Sequence, residues 1–239
     1  MTKCKICGSD TKSLGTVPFD RNNANVPIVN NTPIEYVQCL NCSSIQAPEM
    51  LNWTPEQLGA EVYNQDYIKY DPDYLDTRPR NYARTFMDMF PYSRYGKFSH
   101  LDYGSGIGLM SSILKSKTWN STAFDPYSNN IRPNAKFDLI TAIEVVEHSL
   151  DIQKTFEDML SFLDKDGVII FSTCLVPPTV DISWWYIGAR NGHINIASEK
   201  AMKLIAKNLG MKFSSISLNM HILQKSTTSI NRLIKGSFV

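Results

Sequence analysis

The chain has 239 residues, and its 43% of hydrophobic residues is ordinary for a folded globular protein and excludes a disordered one. Its 24 Lys and Arg nearly balance 23 Asp and Glu, so no general positive field can hold a nucleic-acid backbone or an anionic bilayer. No apolar stretch approaches the roughly 20 residues that span a bilayer, and no signal-peptide pattern is found, so we expect a cytoplasmic protein with no membrane partner.

Four cysteines occur as two pairs, Cys4-x-x-Cys7 and Cys39-x-x-Cys42. Cytosolic thiols stay reduced, so this spacing indicates metal ligands rather than disulfides. Four thiolates give zinc a closed tetrahedral shell, which is typical of a structural site and leaves no open position for catalysis. The segment is too small for a core of its own. We therefore predict that residues 1–48 form a zinc-binding module that folds only with its metal.

An aromatic connector and a helix are predicted between residues 49 and 97. Four tyrosines recur in the connector near helical spacing, at Tyr63, Tyr67, Tyr70 and Tyr74. They pack against the following domain or line a substrate pocket, and both interpretations stay open. Asn81 to Phe90 carries an apolar face and stops before Pro91, which predicts an amphipathic helix.

Strand and helix patterns alternate from residue 98 to residue 225. The first six are Phe98–Tyr103, Leu109–Lys115, Ser121–Phe124, Phe137–Val145, Gln153–Leu163 and Gly167–Thr173. Such alternation is typical of a parallel sheet, so we predict a doubly wound, Rossmann-like α/β domain. Ser198 and Gly210 are suited to begin and end a further helix, and the strands Met211–Leu218 and Met220–Gln224 follow it. Residues 226–239 form a polar tail.

A glycine-rich loop joins the first strand and helix of this domain. Its residues of interest are Asp102, Gly104, Ser105, Gly106 and Gly108. Glycines let the backbone turn sharply and approach a ligand closely. A dinucleotide fingerprint would need its third glycine at Leu109, so a pyrophosphate ligand is disfavoured. The loop instead resembles the first motif of the class I S-adenosylmethionine-dependent methyltransferases, which implies that it curves under the methionine part of S-adenosylmethionine.

Two further stretches extend this resemblance. Asp125, at the end of the second strand, matches the family's acidic residue that accepts hydrogen bonds from both ribose hydroxyls. A carboxylate suits a vicinal diol because it offers two acceptor oxygens. The stretch from Phe137 to His148 resembles the family's fourth-strand motif, which implies that Ile143 and Glu144 also contact the cofactor.

The segment after Asp125 departs from the family pattern. Only about a dozen residues separate Asp125 from Asp138, where relatives usually have a helix and a third strand. We therefore expect the sheet to lack one strand and one helix there. The adenine contact would then come from a short list of residues, namely Asn129, Asn130 or Ile131.

Candidate catalytic residues follow the fourth strand, at the end where open α/β sheets bind ligands. Metal-dependent relatives, including the O-methyltransferases of ubiquinone synthesis, carry a Glu-x-x-Glu-His set that Glu144, Glu147 and His148 match. The match implies a divalent cation such as Mg²⁺. Many metal-free relatives also have Glu-His here, which leaves His148 as a general base or an orienting group.

His193, in the aromatic segment 181–197, is a further candidate base or metal ligand. That segment is a lid over the acceptor or is simply packed.

Methyltransferases that modify sugars resemble this chain in the order zinc ribbon, tyrosine-rich connector, glycine loop. The resemblance implies O-methylation of a small polar acceptor, such as a sugar or sugar conjugate. An RNA methyltransferase with a Glu-Glu-His metal site is the alternative, and the near-neutral charge counts against it. Another alternative is a non-catalytic binding protein that kept the fold, and the intact glycine loop counts against that.

Overall fold

The computed structural model describes residues 2–91, 98–127, 131–226, 230–231 and 233–234. The chain forms two compact units, each assembled from separate stretches. The first comprises Met1–Pro72, Val146–Thr155 and Thr173–Ile205, and the second comprises Asp73–Val145, Phe156–Ser172 and Ala206–Val239. The domain boundaries at residues 48, 97 and 225 stay a prediction. Among the described helices, none combines the length and the hydropathy needed to cross a membrane.

Ten strands and six α-helices are found in the described ranges. The strands are β1 (Thr11–Pro18), β2 (Pro33–Cys39), β3 (Ile45–Gln46), β4 (Ser99–Tyr103), β5 (Asn120–Phe124), β6 (Phe137–Ile143), β7 (Leu163–Ser172), β8 (Asn195–Ile196), β9 (Lys212–Ser215) and β10 (Met220–Gln224). The helices are α1 (Pro55–Glu61), α2 (Tyr67–Tyr70), α3 (Thr77–Met89), α4 (Leu109–Ser116), α5 (Ile152–Phe162) and α6 (Glu199–Asn208). Short 3-10 helices cover Met50–Asn52 and Val146–His148.

The first unit contains a four-stranded antiparallel sheet with the order β1-β2-β3-β8. The hairpin of β1 and β2 sets Thr11 opposite Cys39, beside the second cysteine pair. Strand β8 then pairs with β3, with Ile45 opposite Ile196. A strand from far along the chain therefore completes the sheet that the N-terminal cysteines begin.

The second unit is built on a six-stranded sheet with the order β5-β4-β6-β7-β10-β9. Strand β4 pairs in parallel with β5 and β6, and β6 pairs in parallel with β7. Strand β10 is antiparallel to both β7 and β9. Residues 168–171 of β7 are all fully buried, as expected for a central strand with both faces covered. The predicted Rossmann-like α/β domain is confirmed.

Strand β5 forms one edge of this sheet. Among the described residues between β5 and β6, which are 125–127 and 131–136, no strand or helix is found. For that part of the chain, the prediction of a shortened sheet is confirmed. Two of the three residues predicted to contact adenine, Asn129 and Asn130, lie outside the described residues. The third, Ile131, has a side chain that is 93% exposed.

Several element ends differ from the predictions for local reasons. Helix α3 begins at Thr77 rather than Asn81, because Pro79 lies in its first turn, where a missing N–H costs no helical hydrogen bond. Strand β6 ends at Ile143 rather than Val145, because Glu144 turns the backbone into the left-handed region at φ 51°. Strand β9 ends at Ser215, since the backbone N–H of Ile216 donates to the carbonyl of Met220 and turns the chain.

The predicted ends of helix α6 are confirmed. The hydroxyl oxygen of Ser198 accepts a hydrogen bond from the backbone N–H of Ala201 at 3.0 Å, which satisfies one of the free donors of the first turn. At the other end, Gly210 adopts a positive φ of 65°, as expected of a residue that closes a helix.

Candidate functional site

The glycine loop of the second unit is shaped so that side chains would block it. Gly104, Gly106 and Gly108 have φ angles of 70°, 53° and 77°, in the left-handed region. A Cβ atom on Gly104 would lie 2.5 Å from a methyl group of Val145, and one on Gly106 would lie 3.1 Å from the hydroxyl oxygen of Tyr74. The loop therefore offers open backbone next to aromatic and aliphatic side chains.

A buried hydroxyl points to a ligand at this loop. Among the described residues, the hydroxyl oxygen of Ser105 is buried and has no hydrogen-bond partner. Leaving a buried hydroxyl without a partner costs about 1 to 3 kcal/mol. A polar ligand seated on the loop would remove this cost, so the loop fits a polar group at that position.

Asp125 is held against the same loop. Its carboxylate accepts hydrogen bonds from the backbone N–H of Gly106 at 2.8 Å and of Tyr127 at 2.9 Å. These two bonds fix the carboxylate at the end of β5. A carboxylate offers two acceptor oxygens with two acceptor positions each, which is the chemistry that binding a diol requires.

Asp102 lies at the end of β4 and is buried. The pKa of its carboxyl is raised to about 7, mainly by burial and to a smaller extent by the negative charge of Asp125. A backbone hydrogen bond from Ser111 and a 3.5 Å hydrogen bond from the hydroxyl of Thr141 act in the opposite direction and lower it. Thr141 in turn bonds His100, which burial keeps neutral by lowering its pKa to about 3. Asp102 consequently gets no cationic partner from this histidine.

Glu144 follows β6 in a strained backbone conformation. A left-handed φ in a non-glycine residue costs on the order of 1 kcal/mol or more and is frequent at functional sites. Ser172 holds the residue in place. Its hydroxyl donates to the Glu144 carboxylate at 2.7 Å and accepts from the Glu144 backbone N–H at 2.9 Å. Ile143, the last residue of β6, is half-buried.

His148, in the first unit, has a defined tautomer. Its Nδ1 lies 3.0 Å from the carbonyl oxygen of Gly192, which can only accept, so Nδ1 carries a proton. In the neutral ring Nε2 is therefore the acceptor, and it lies 3.9 Å from the carboxylate of Glu147. Gly192 permits this approach, because a Cβ atom there would lie 3.1 Å from Nδ1 of His148 and 2.7 Å from the hydroxyl of Tyr63. This is the form of histidine that a general base requires.

His193 lies beside His148 and has the same tautomer. Its Nδ1 donates to the carbonyl of Tyr186 at 2.7 Å, and the two imidazole rings are 5.2 Å apart. The hydroxyl of Tyr186 donates to the fully buried carboxylate of Glu147 at 2.6 Å. Ligand atoms of Glu147, His148 and His193 all lie within 4.8 Å of one another. Glu144 is not part of this group.

The N-terminal sheet positions His193. The hydroxyl of the fully buried Tyr36 donates to the His193 carbonyl at 3.0 Å. Two residues further along the chain, Asn195 accepts a 2.8 Å hydrogen bond from the side-chain amide of Gln46 and donates to the carbonyl of Ser149. The sequence drew attention to Tyr186 only as part of the aromatic segment 181–197, and its contact with Glu147, 39 residues away, could not be predicted. The contact of Tyr36 with His193, 157 residues away, could not be predicted either.

The aromatic stretches are packed to different degrees. In segment 181–197, Tyr186, Arg190 and His193 are buried, whereas Trp185 is 59% exposed. In the connector, the buried Tyr67 donates to the carbonyl of Asn191. The ring of Tyr63 lies edge-on to the imidazole of His148, with centroids 5.9 Å apart. One connector tyrosine is thus packed, and another borders a candidate catalytic residue.

The four N-terminal cysteines form one cluster. Their sulfur atoms all lie within 4.8 Å of one another, with Cys4 and Cys42 separated by 3.7 Å and Cys7 and Cys39 by 3.4 Å. A tetrahedron with zinc–sulfur bonds of about 2.3 Å has sulfur–sulfur edges of about 3.8 Å. A hydrogen bond with the Cys42 thiol lowers the pKa of Cys4 although burial raises it. The spacing fits a metal with four thiolate ligands.

Known proteins resemble the chain over much of its length. A family model described as a methyltransferase domain matches residues 74–215. The ubiquinone biosynthesis O-methyltransferase of Rickettsia canadensis (strain McKiel) is 24% identical over 34% of this chain and 45% of its own length, so the match spans less than half of that relative.

Two solved structures share the fold. An O-methyltransferase family protein from Burkholderia thailandensis superposes with a TM-score of 0.52 and 9% identity, covering 75% of this chain and 67% of that one. The plantazolicin methyltransferase in complex with a pentazolic desmethylPZN analog and SAH gives a TM-score of 0.50 and 11% identity, covering 75% of this chain and 98% of that one.

Proposed function

Because the chain belongs to the methyltransferase domain family, we propose that it transfers a methyl group from S-adenosylmethionine to a hydroxyl oxygen of a small polar acceptor, with a sugar or sugar conjugate as the first candidate. The observation that carries the proposal is the glycine loop with the carboxylate of Asp125 held beside it. The name of the Rickettsia relative, an O-methyltransferase, supports oxygen as the acceptor atom. The cysteine cluster before a tyrosine-rich connector supports a sugar.

The residues of the second unit bind the cofactor in this proposal. When bound, S-adenosylmethionine supplies an electrophilic methyl group on a sulfonium sulfur. Asp125 accepts hydrogen bonds from the two ribose hydroxyls, and Ser105 bonds the part of the cofactor that crosses the loop. Gly104, Gly106 and Gly108 allow the close approach, and Asp102, Ile143 and Glu144 complete the cofactor contacts.

The residues of the first unit act on the acceptor in this proposal. Nε2 of His148 would take the proton of the acceptor hydroxyl. Glu147 and His193 orient and polarise that imidazole. Alternatively, Glu147, His148 and His193 would hold a divalent transition-metal ion that positions the acceptor oxygen, because two imidazoles and a carboxylate suit such an ion better than Mg²⁺. The oxygen must also be aligned with the methyl carbon and shielded from water.

We also propose that Cys4, Cys7, Cys39 and Cys42 bind one structural zinc ion. Backbone N–H groups support four thiolates, because those of Ile6, Asn41 and Cys42 donate to cysteine sulfur atoms at 3.3 to 3.4 Å. With four sulfur ligands, the ion has no open position for a substrate.

Calorimetric titration of Asp125→Ala with S-adenosylmethionine tests the cofactor assignment. Losing a carboxylate that accepts two buried hydrogen bonds should cost about 2 to 4 kcal/mol, which corresponds to binding that is tens to hundreds of times weaker. Asp88→Ala, which removes an exposed carboxylate from α3, is the matched control and should bind normally. Unchanged affinity in Asp125→Ala would show that the motif has another role.

Cofactor affinity should also depend on pH through Asp102. Its pKa of about 7 means that the carboxyl is largely protonated below pH 7 in the free protein. The positive charge of S-adenosylmethionine favours the ionised form, so binding releases a proton. Affinity should therefore rise between about pH 5 and pH 7 and level off above pH 8. Calorimetry in buffers of different ionisation enthalpy measures the number of protons released on binding. Asp102→Asn should abolish this proton release. An equal proton release in Asp102→Asn would contradict the assignment.

A further inference from the structure

A groove of about 290 Å³ opens on the first unit. Its lining includes Phe19, Asn30, Glu49, Trp53, Gln57 and Glu61. All of them lie in the N-terminal stretch, and none is a candidate catalytic or cysteine ligand residue. Ligand pockets usually measure about 300 to 1,000 Å³. The groove has room for a single ring rather than for a nucleotide-linked molecule.

Two aromatic rings form an apolar corner in the groove. The rings of Phe19 and Trp53 have centroids 6.2 Å apart and planes inclined by 45°. Phe19 is buried, whereas Trp53 is partly exposed to solvent. A partly exposed tryptophan offers a flat apolar surface together with a polar N–H. This corner suits a ligand that has an apolar face and a polar edge.

The rim of the groove combines hydrogen-bond donors and acceptors. The side-chain carbonyl of Gln57 accepts from the backbone N–H of Thr54 at 2.8 Å, so its NH₂ group is the part that remains to donate. Likewise, the side-chain carbonyl of Asn30 accepts from the backbone N–H of Thr32 at 3.0 Å. The carboxylates of Glu49 and Glu61 supply acceptors. Paired donors and acceptors match the hydroxyl groups of a polyol.

Both walls of the groove are fixed by local hydrogen bonds. The buried carboxylate of Asp20 accepts from the backbone N–H groups of Val29 at 3.0 Å and Asn30 at 2.7 Å, which holds the wall formed by the loop after β1. The opposite wall is helix α1, whose first turn is closed by the reciprocal bonds of Thr54 and Gln57. A groove that is ordered before binding loses less entropy when a ligand enters.

The charge of the groove favours some polyols over others. Two of its lining residues are acidic and none is basic. A phosphate or sulfate on the ligand would be repelled, whereas an ammonium group would be attracted. We propose that this groove binds one pyranose ring of a neutral or amino sugar, with the apolar face of the ring on Trp53 and its hydroxyl or ammonium groups on the polar rim. The proposal concerns binding alone and does not depend on methyl transfer.

Saturation-transfer NMR and calorimetry on the full chain without cofactor test this proposal. The probes are glucosamine, glucose, glucose 6-phosphate and ethanolamine, which is an amine without a ring. We expect glucosamine to bind with a dissociation constant on the order of 1 mM, glucose several times more weakly, and the other two at least about tenfold more weakly than glucosamine. No saturable binding of either sugar, or equal binding of glucose and glucose 6-phosphate, would overturn the proposal. So would ethanolamine binding as tightly as glucosamine.

Variants locate the binding. Trp53→Ala should weaken glucosamine binding at least about tenfold, and Glu61→Gln should reduce the preference for glucosamine over glucose. Trp185→Ala removes an exposed tryptophan that does not line the groove. This variant should therefore bind glucosamine as tightly as the unchanged protein does. If circular dichroism shows that Trp53→Ala is unfolded, Gln57→Ala on the exposed side of α1 takes its place. Unchanged binding in the folded groove variants would place the sugar elsewhere and reject the assignment.

Discussion

Replacing His148 with Ala is expected to reduce turnover about 100- to 10,000-fold while cofactor affinity stays the same. The reason is geometric, since the carbonyl of Gly192 holds the proton on Nδ1 and leaves Nε2 ready to accept one. As a general base, His148 must be neutral, so activity should fall as the solution is acidified. Single-turnover rates and calorimetric cofactor titrations of the same preparations separate turnover from binding.

The cation alternative predicts a different pattern of losses. If Glu147, His148 and His193 hold a divalent cation, chelators should abolish activity and an added cation should restore it. Glu147→Gln and His193→Ala should then be as damaging as His148→Ala. A general base would be indifferent to chelators. Near-normal turnover in both His148→Ala and Glu147→Gln would reject both roles, and alignment of the reactants alone would then account for the rate.

Removing zinc from the cysteine cluster is expected to unfold the N-terminal residues and to stop turnover. Structural zinc bound by small modules contributes about 10 to 16 kcal/mol, which exceeds the stability of most domains. Loss of the ion should also release His193, because Tyr36 in β2 holds its carbonyl and β3 pairs with β8 directly after it. Cys42→Ser, whose sulfur is fully buried in the cluster, should give the same result.

Metal content and thermal unfolding check this expectation. Elemental analysis should find one zinc ion per chain in the unchanged protein and none in Cys42→Ser. Cys174→Ser is the matched control, because Cys174 does not belong to the cluster, and it should keep both zinc and the unfolding temperature. A purified protein without zinc or iron, with all four thiols reactive under native conditions, would exclude the metal site.

The six-stranded sheet could be predicted from the sequence because several of its strands are rich in apolar residues. Strand β10 has the predicted limits, Met220–Gln224, and each of its residues is buried. Strands β6 and β7 were recognisable for the same reason. Their ends were less predictable, since they depend on single backbone angles, such as the left-handed φ of Glu144.

The site residues could be predicted from the sequence, but the residues that hold them in position could not. The glycine loop and Asp125 form a local pattern, and the hydrogen bond between them joins residues only 19 positions apart. His193 was one histidine among four, and nothing near it in the sequence identifies its position beside His148. That position depends on Tyr36, 157 residues away, and on a two-residue strand that is too short to produce a periodic pattern.

The pairing of β3 with β8 also affects the order of events during protein synthesis. Residues Gln46 and Asn195 are 149 positions apart, so at about 5 to 20 residues per second β8 is made roughly 7 to 30 s after β3. All four ligand cysteines are made before β3, and zinc can therefore bind early on the ribosome. Meanwhile the outer edge of β3 lacks its partner, and an open strand edge is prone to pair with other chains. Nascent chains that stall in this interval would be natural clients for chaperones.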